Sequence, residues 1–306
     1  MKMNINSLLP KEQIKQFEKI DSTRAITRLI MELSAIFALI YIGVNTSLWL
    51  YPLVILGIAS RQHALLVLMH ECAHGVFVKS KLGNNIFGEF IGWNHFMLMR
   101  GYRRHHTKHH VLRNINTMKD PDFSRKQNHK WVFPMRRSKL VKTFLMDVLM
   151  LNTYELVQEA KDAKNNKLKT KEDKFVYYAR IFYCLALFGT LVLTGNFGNY
   201  LLFWIVPAFS FLKLILRIRS IADHFHTTND NYFDRTRTIE APLLERLLIA
   251  PCNIGVHNEH HIFAKVPYYN LLKLRKYLMQ NETYRNLQIS SPSYYSTLFR
   301  ELSYES

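Results

Sequence analysis

The 306-residue chain sets 41 Lys and Arg against 23 Asp and Glu, a formal charge of +18, with a pI near 9.8. Hydrophobic residues make up 48% of it, yet mean hydropathy is only −0.09, as expected when apolar spans alternate with charged segments. Three cysteines, Cys72, Cys184 and Cys252, exclude a disulfide framework and a zinc ribbon, and no nucleic-acid motif accompanies the basic charge, so nucleic acid is not an expected partner.

The first segment, MKMNINSLLPKEQIKQFEKI, lacks the apolar core of a signal peptide. Its Lys, Glu and Gln spacing predicts an amphipathic helix lying on a membrane. No Asp, Glu, Lys or Arg occurs from Leu33 to Ser60, a window of 28 residues with a polar pivot at Asn45, Thr46 and Ser47. A single span needs about 20 apolar residues. The window therefore predicts a helical hairpin with legs at about residues 26–44 and 48–69. A second uncharged window of 32 residues runs from Ile181 to Leu212 and turns at Thr194–Asn199. It predicts legs at about residues 175–194 and 199–218. Two single long spans are the alternative, and the turn-like pivots argue against it. Arg28, Glu32, Arg61, Arg180 and Lys213 are expected near one membrane face, where long side chains snorkel.

Neither pivot contains Lys or Arg. The N-terminal segment, the loop from Gly75 to Lys174 and the C-terminal segment hold nearly all of them and are expected in the cytoplasm, facing an anionic leaflet. The expected fold is an all-α integral membrane protein. Two transmembrane helical hairpins (four spans) carry a cytoplasmic helical cap, residues 70–174 and 219–306. Residues 1–306 form one domain, in a bacterial inner membrane or an endoplasmic reticulum.

Fourteen histidines are present, and most are clustered. HECAH holds His70 and His74. HHTKHH holds His105, His106, His109 and His110. DHFH holds His224 and His226, and HNEHH holds His257, His260 and His261. On a helix, residues three or four apart share a face. HxxxH followed by two HxxHH motifs can thus aim eight imidazoles inward from the same membrane face. One cluster could be a solvated helix face; three in one compartment point to metal. Eight or nine imidazoles exceed the needs of one ion, whereas two ions with four or five each use the set. Imidazole suits Fe, Zn, Cu and Ni alike. His106 fits the HxxHH pattern better than His105, and His224 is favoured over His226. His63, His95 and His129 are isolated.

These motifs resemble the membrane fatty acid desaturases, whose three histidine boxes HxxxH, HxxHH and HxxHH surround two transmembrane hairpins. The flanks are similar too: Tyr102, Arg103 and Arg104 before box two, Asp120, Pro121 and Asp122 after it, and NIGVHNEHHIFAKVPYYNL around box three, like acyl-lipid type members. The segment from Arg219 to His224 resembles the family's stretch with an additional histidine ligand. The resemblance covers about residues 30 to 280. It implies two iron ions held by His70, His74, His106, His109, His110, His224, His257, His260 and His261, with O2 as co-substrate. One departure is Ser220, which stands where stearoyl-CoA type members have an Asn that helps position a water.

The resemblance implies removal of two hydrogens from adjacent carbons of a long-chain acyl group of a lipid. Such C–H bonds are beyond side-chain chemistry, so a metal supplies the oxidant while protein orients substrate and excludes water. No GxGxxG fingerprint and too few cysteines for an iron–sulfur cluster are present, so a separate electron donor is expected, a ferredoxin or a cytochrome b5-like protein, docked on basic surface. Glu71, Asp223 and Glu259 adjoin ligands and are candidates to orient them. Arg103 and Asp120 are expected to pair, and Asn270 to cap the helix LLKLRKYLM. A lipid hydroxylase or carotenoid ketolase would use the same boxes. A non-catalytic membrane metal-binding protein would keep them without turnover.

Overall fold

A computed structural model describes residues 8–155, 171–225, 227 and 231–305. His226 and residues 1–7 of the N-terminal segment lie outside the described residues. Helix α1 (Lys11–Phe17) turns Ile14 and Phe17 to the core and leaves its Lys and Glu in the open, the amphipathic pattern expected of it.

Helix α2 (Ser22–Val44) starts where the Asp21 carboxylate accepts the Arg24 N–H at 3.0 Å, satisfying a first-turn donor. Ala25, Leu29, Ile36 and Gly43 bury one stripe of it. The opposite side exposes Ile30, Phe37 and Tyr41. After the Asn45–Ser47 turn comes α3 (Tyr51–His74), with Pro52 in its first turn, where a missing N–H costs nothing. It ends at Gly75, whose φ of +75° is the left-handed geometry that favours glycine. Helix α3 is the central post: its buried residues run almost unbroken from Ile58 to Cys72, and α2 packs against it.

Helices α4 (Lys81–Asn94) and α5 (Met99–His109) also pack on α3. Glu89 accepts from the Trp93 indole (3.0 Å) and the Met99 N–H (3.2 Å), tying α4 to α5. Then follow α6 (Pro121–Arg125), α7 (Arg137–Val148), α8 (Lys171–Leu193) and the interrupted α9 (Phe197–His224). A π-turn at Leu201–Ile205 and a break at Ser210, after Pro207, interrupt α9. Short helices α10 (Leu243–Leu248), α11 (His257–Ile262) and α12 (Leu271–Leu278) close the chain's second half.

Two small parallel sheets tie distant segments together. Strand β1 (Met135–Arg136) pairs with β4 (Ser303–Tyr304), and the buried β2 (Arg237–Ile239) pairs with β3 (Ile289–Ser291). The Ile239 N–H also donates to the Gly255 carbonyl at 2.8 Å, which fixes the turn leading into α11.

Four helical stretches are long and apolar enough to cross a membrane: residues 11–44, 48–74, 172–193 and 197–224. Helix α8 exposes Phe175, Phe182 and Leu193 almost fully, an apolar surface suited to lipid rather than water. Helix α2 ends at Val44, as its expected leg does, but begins earlier, at Ser22, and α3 runs on past the expected leg to His74. Apolar windows mark where lipid-compatible residues lie, but the Asp21 cap and Gly75 set where helices α2 and α3 begin and stop. Snorkelling fails for two residues. Glu32 is buried between Arg28 (2.5 Å) and Arg61 (3.0 Å), and Lys213 turns inward to the Asn152 carbonyl and to Glu155 at 3.2 Å. A buried charge needs partners, and both found them within the protein.

Candidate metal centre

Each histidine motif sits at a helix end. His70 and His74 finish α3; His106 and His109 finish α5, with His110 as its cap; His224 is the last residue of α9; α11 is itself the third motif. The ends converge. Ligand atoms of His70, His74, His106, His110 and His260 all lie within 4.8 Å of one another, and so do those of His109, His224 and His261. His257 joins the second group, its Nε2 2.8 Å from that of His224 and 3.1 Å from that of His261. The nine histidines named from sequence therefore form one group of five and one of four. The groups touch where His110 stacks on His261, with ring centroids 4.1 Å apart.

Helix periodicity explains the partition. The i,i+4 pairs 70/74, 106/110 and 257/261 each serve a single group. The remaining histidine of each HxxHH motif, His109 or His260, crosses to the other. His105 takes no part: its Nε2 meets Asp122 at 2.9 Å.

The donor set suits metal. The nitrogens crowd together: His74 Nε2 is 2.9 Å from His106 Nε2 and 3.3 Å from His70 Nε2. Both ring nitrogens of His110 and of His260 are buried with no protein hydrogen-bond partner. Such orphans are costly unless something else binds them. Burial, followed by the neighbouring imidazoles, lowers His106, His110, His257, His260 and His261 well below the usual histidine range. They are neutral at pH 7, the form that offers a lone pair.

The acids divide in ways spacing does not reveal. Asp120 Oδ1 lies 2.9 Å from His109 Nδ1, both side chains buried. A carboxylate only accepts, so Nδ1 donates and Nε2 is left free for the four-imidazole group. Glu71 is 3.7 Å from His70 Nδ1 and accepts the Tyr268 N–H at 2.8 Å. Asp223 is 4.0 Å from His257 Nδ1 and is held by Arg219 at 2.8 Å. Glu259 turns away from the cage to Arg275 and to the Thr238 hydroxyl (2.6 Å), anchoring α11 from behind.

Two smaller expectations need correction, and one contact is new. Arg103 does not pair with Asp120. It donates to the Cys72 and Ala73 carbonyls (3.0 and 3.2 Å) and to Asn85 (2.8 Å), capping the end of α3 between the two box-one ligands. Asn270 occupies the cap position of α12 without a capping bond, and its amide NH2 donates to the Phe17 carbonyl. Ser220 accepts from Lys126, a contact nothing in the sequence foretold.

The family model for fatty acid desaturase matches residues 14–293. Dihydrorhizobitoxine desaturase of Bradyrhizobium elkanii is 26% identical over 261 residues, covering 80% of this chain and 72% of the relative. The sn-1 acyl-lipid omega-3 desaturase (ferredoxin) of Synechocystis sp. is 27% identical over 242 residues, 74% of this chain and 66% of the relative. An endoplasmic reticulum omega-3 fatty acid desaturase of Nicotiana tabacum is 31% identical over a shorter stretch of 91 residues, 29% of this chain and 24% of the relative. With a family match over most of its length and histidine clusters gathered at one centre, this chain belongs to the fatty acid desaturase family.

Proposed function

We propose that the protein is an integral membrane, oxygen-dependent di-iron desaturase that introduces a double bond into a long-chain acyl group of a lipid. The observation that carries this reading is the division of nine buried or half-buried imidazoles into adjoining groups of five and four. Four apolar helices favour a substrate drawn from the bilayer. Two relatives are named for fatty acyl or acyl-lipid substrates, and one for dihydrorhizobitoxine.

In this reading α2 with α3, and α8 with α9, are transmembrane hairpins. The rest forms a cap on the cytoplasmic side, where the positive-inside rule puts the basic loops. The five-imidazole and four-imidazole groups each hold one iron ion. Iron supplies the activation of O2 that no side chain can provide. The protein holds the nine imidazoles aimed inward. Asp120 fixes the tautomer of His109, Arg103 holds the end of α3, and Glu259 with Arg275 sets the angle of α11. The overall reaction joins O2, two electrons, two protons and two hydrogens from neighbouring methylenes to give an alkene and two waters. The electrons come from a separate ferredoxin or cytochrome b5-like donor.

Expression in a host with simple lipids, beside His106→Ala, tests this by mass spectrometry of total fatty acids. A new unsaturated acyl chain in the wild type, lost in the variant, is expected. A product heavier by one oxygen would replace this reading with a hydroxylase, and absence of any acyl product with reductant supplied would overturn it.

A further inference from the structure

Away from the histidines, two adjoining clefts of about 440 Å3 and 380 Å3 open where α2 begins. They share Arg24 and Tyr269. The larger carries Lys19, Arg24 and Lys79; the smaller adds Arg28 and ends at Met31. Lys19, Arg24 and Lys79 are exposed, and among the described residues none forms an ion pair. The carboxylate facing them is Asp21, already engaged in capping α2, and Arg28 is paired with Glu32. The surplus charge is positive.

The walls are pinned. The Asp21 N–H donates to the Tyr269 hydroxyl at 2.6 Å, the Asn270 amide to the Phe17 carbonyl at 2.8 Å, and the Lys79 N–H to the Ser22 hydroxyl at 3.1 Å. Arg24 is stacked over Tyr269, 4.8 Å from the ring centre. The cleft's backbone and the Arg24 guanidinium are therefore held in place before anything binds.

The clefts also lie at a polarity step. Helix α2 rises 1.5 Å per residue, so Met31 is about 10 Å beyond Arg24. Over that distance the surface changes from cationic to exposed Ile30 and Met31, with exposed Phe37 and Tyr41 further on. That is the profile of a headgroup–acyl boundary. We propose that the double cleft binds the phosphate of an anionic glycerophospholipid, whose acyl chains run down the exposed side of α2. The inference rests on α2 crossing the bilayer and is independent of the chemistry at the histidines.

The test is lipid binding, read by native mass spectrometry on the full-length, metal-loaded protein in neutral detergent. The probes are a short-chain phosphatidylglycerol, a galactolipid with the same chains and no phosphate, and inorganic phosphate. Phosphatidylglycerol should bind about tenfold more tightly than the galactolipid, and Arg24→Gln with Lys79→Gln should abolish that preference. Lys79→Gln alone, which removes no packed side chain, should reduce it. Lys139→Gln with Lys142→Gln on α7 removes equal charge elsewhere and should leave it intact. Equal binding of galactolipid, an equal loss in the α7 variant, or inorganic phosphate binding as tightly as the lipid would each overturn the proposal. Lipid binding without acyl turnover would sustain it while removing the desaturase reading.

Discussion

Replacing Asp120 with Asn isolates one metal group from the other. Asp120 Oδ1 faces His109 Nδ1 at 2.9 Å and accepts the Asp122 N–H at 2.9 Å, while Oδ2 accepts the Asn116 N–H at 3.3 Å. Two oxygens serve three donors. Asparagine has one oxygen, so its NH2 must face either an imidazole N–H or a backbone N–H. Losing such an orienting partner lowers metal affinity about 10- to 100-fold, or about 1.4–2.8 kcal/mol. His109 belongs only to the four-imidazole group, so the loss should fall there. Anaerobic titration of metal-stripped protein with ferrous iron, followed by calorimetry, measures it. The wild type should bind two equivalents; Asp120→Asn should bind one as before and the other 10- to 100-fold more weakly. His105→Ala removes an adjacent imidazole from neither group and should bind both normally. Equal weakening of both equivalents, or of neither, would refute the assignment of His109 and Asp120.

Other perturbations reach different parts of the structure. Arg103→Gln uncovers two carbonyls at the end of α3 and should cost about 1–3 kcal/mol, read as a lower thermal midpoint; an unchanged midpoint would deny the capping role. Burial raises Glu155, but Arg217, Lys130 and Lys213 outweigh it and hold the carboxyl down to about 2, from an ordinary 4.5. Its stabilisation is therefore complete above pH 4.5 and fades as pH falls towards 2. In thermal melts across that window Glu155→Gln should lose part of the wild-type pH dependence, and parallel curves would contradict the sign. Removing iron with a chelator should lower the thermal midpoint, because the cage joins α3, α5, α9 and α11, and ferrous iron should restore it; a midpoint indifferent to iron would count against the cage.

Local periodicity made much of this site legible. HxxxH and HxxHH identify which imidazoles share a helix face, and HTKHH prefers His106 to His105 because 106 and 110 are one turn apart. Uncharged windows likewise locate four apolar stretches. What sequence could not give depends on contacts between distant segments. The division into five and four arises because His260 crosses to a group built by α3 and α5, some 150 residues or more earlier in the chain. Asp120 looked like a partner for Arg103 because opposite charges flank the same box, but α3 carbonyls claimed the guanidinium first. Glu259 adjoins His260 in sequence yet leaves the cage for Arg275. Lys213 reads as a snorkelling residue until Glu155 is placed beside it.

The most direct test of the account couples oxygen to product in purified, iron-loaded protein. With a reductant system and a lipid bearing a saturated acyl chain, O2 consumption and new double bonds are counted together. Consumption should require reductant, with one double bond formed for each O2 consumed in coupled turnover. No consumption by protein holding two irons, or consumption whose acyl product gains an oxygen atom instead of losing two hydrogens, would contradict it.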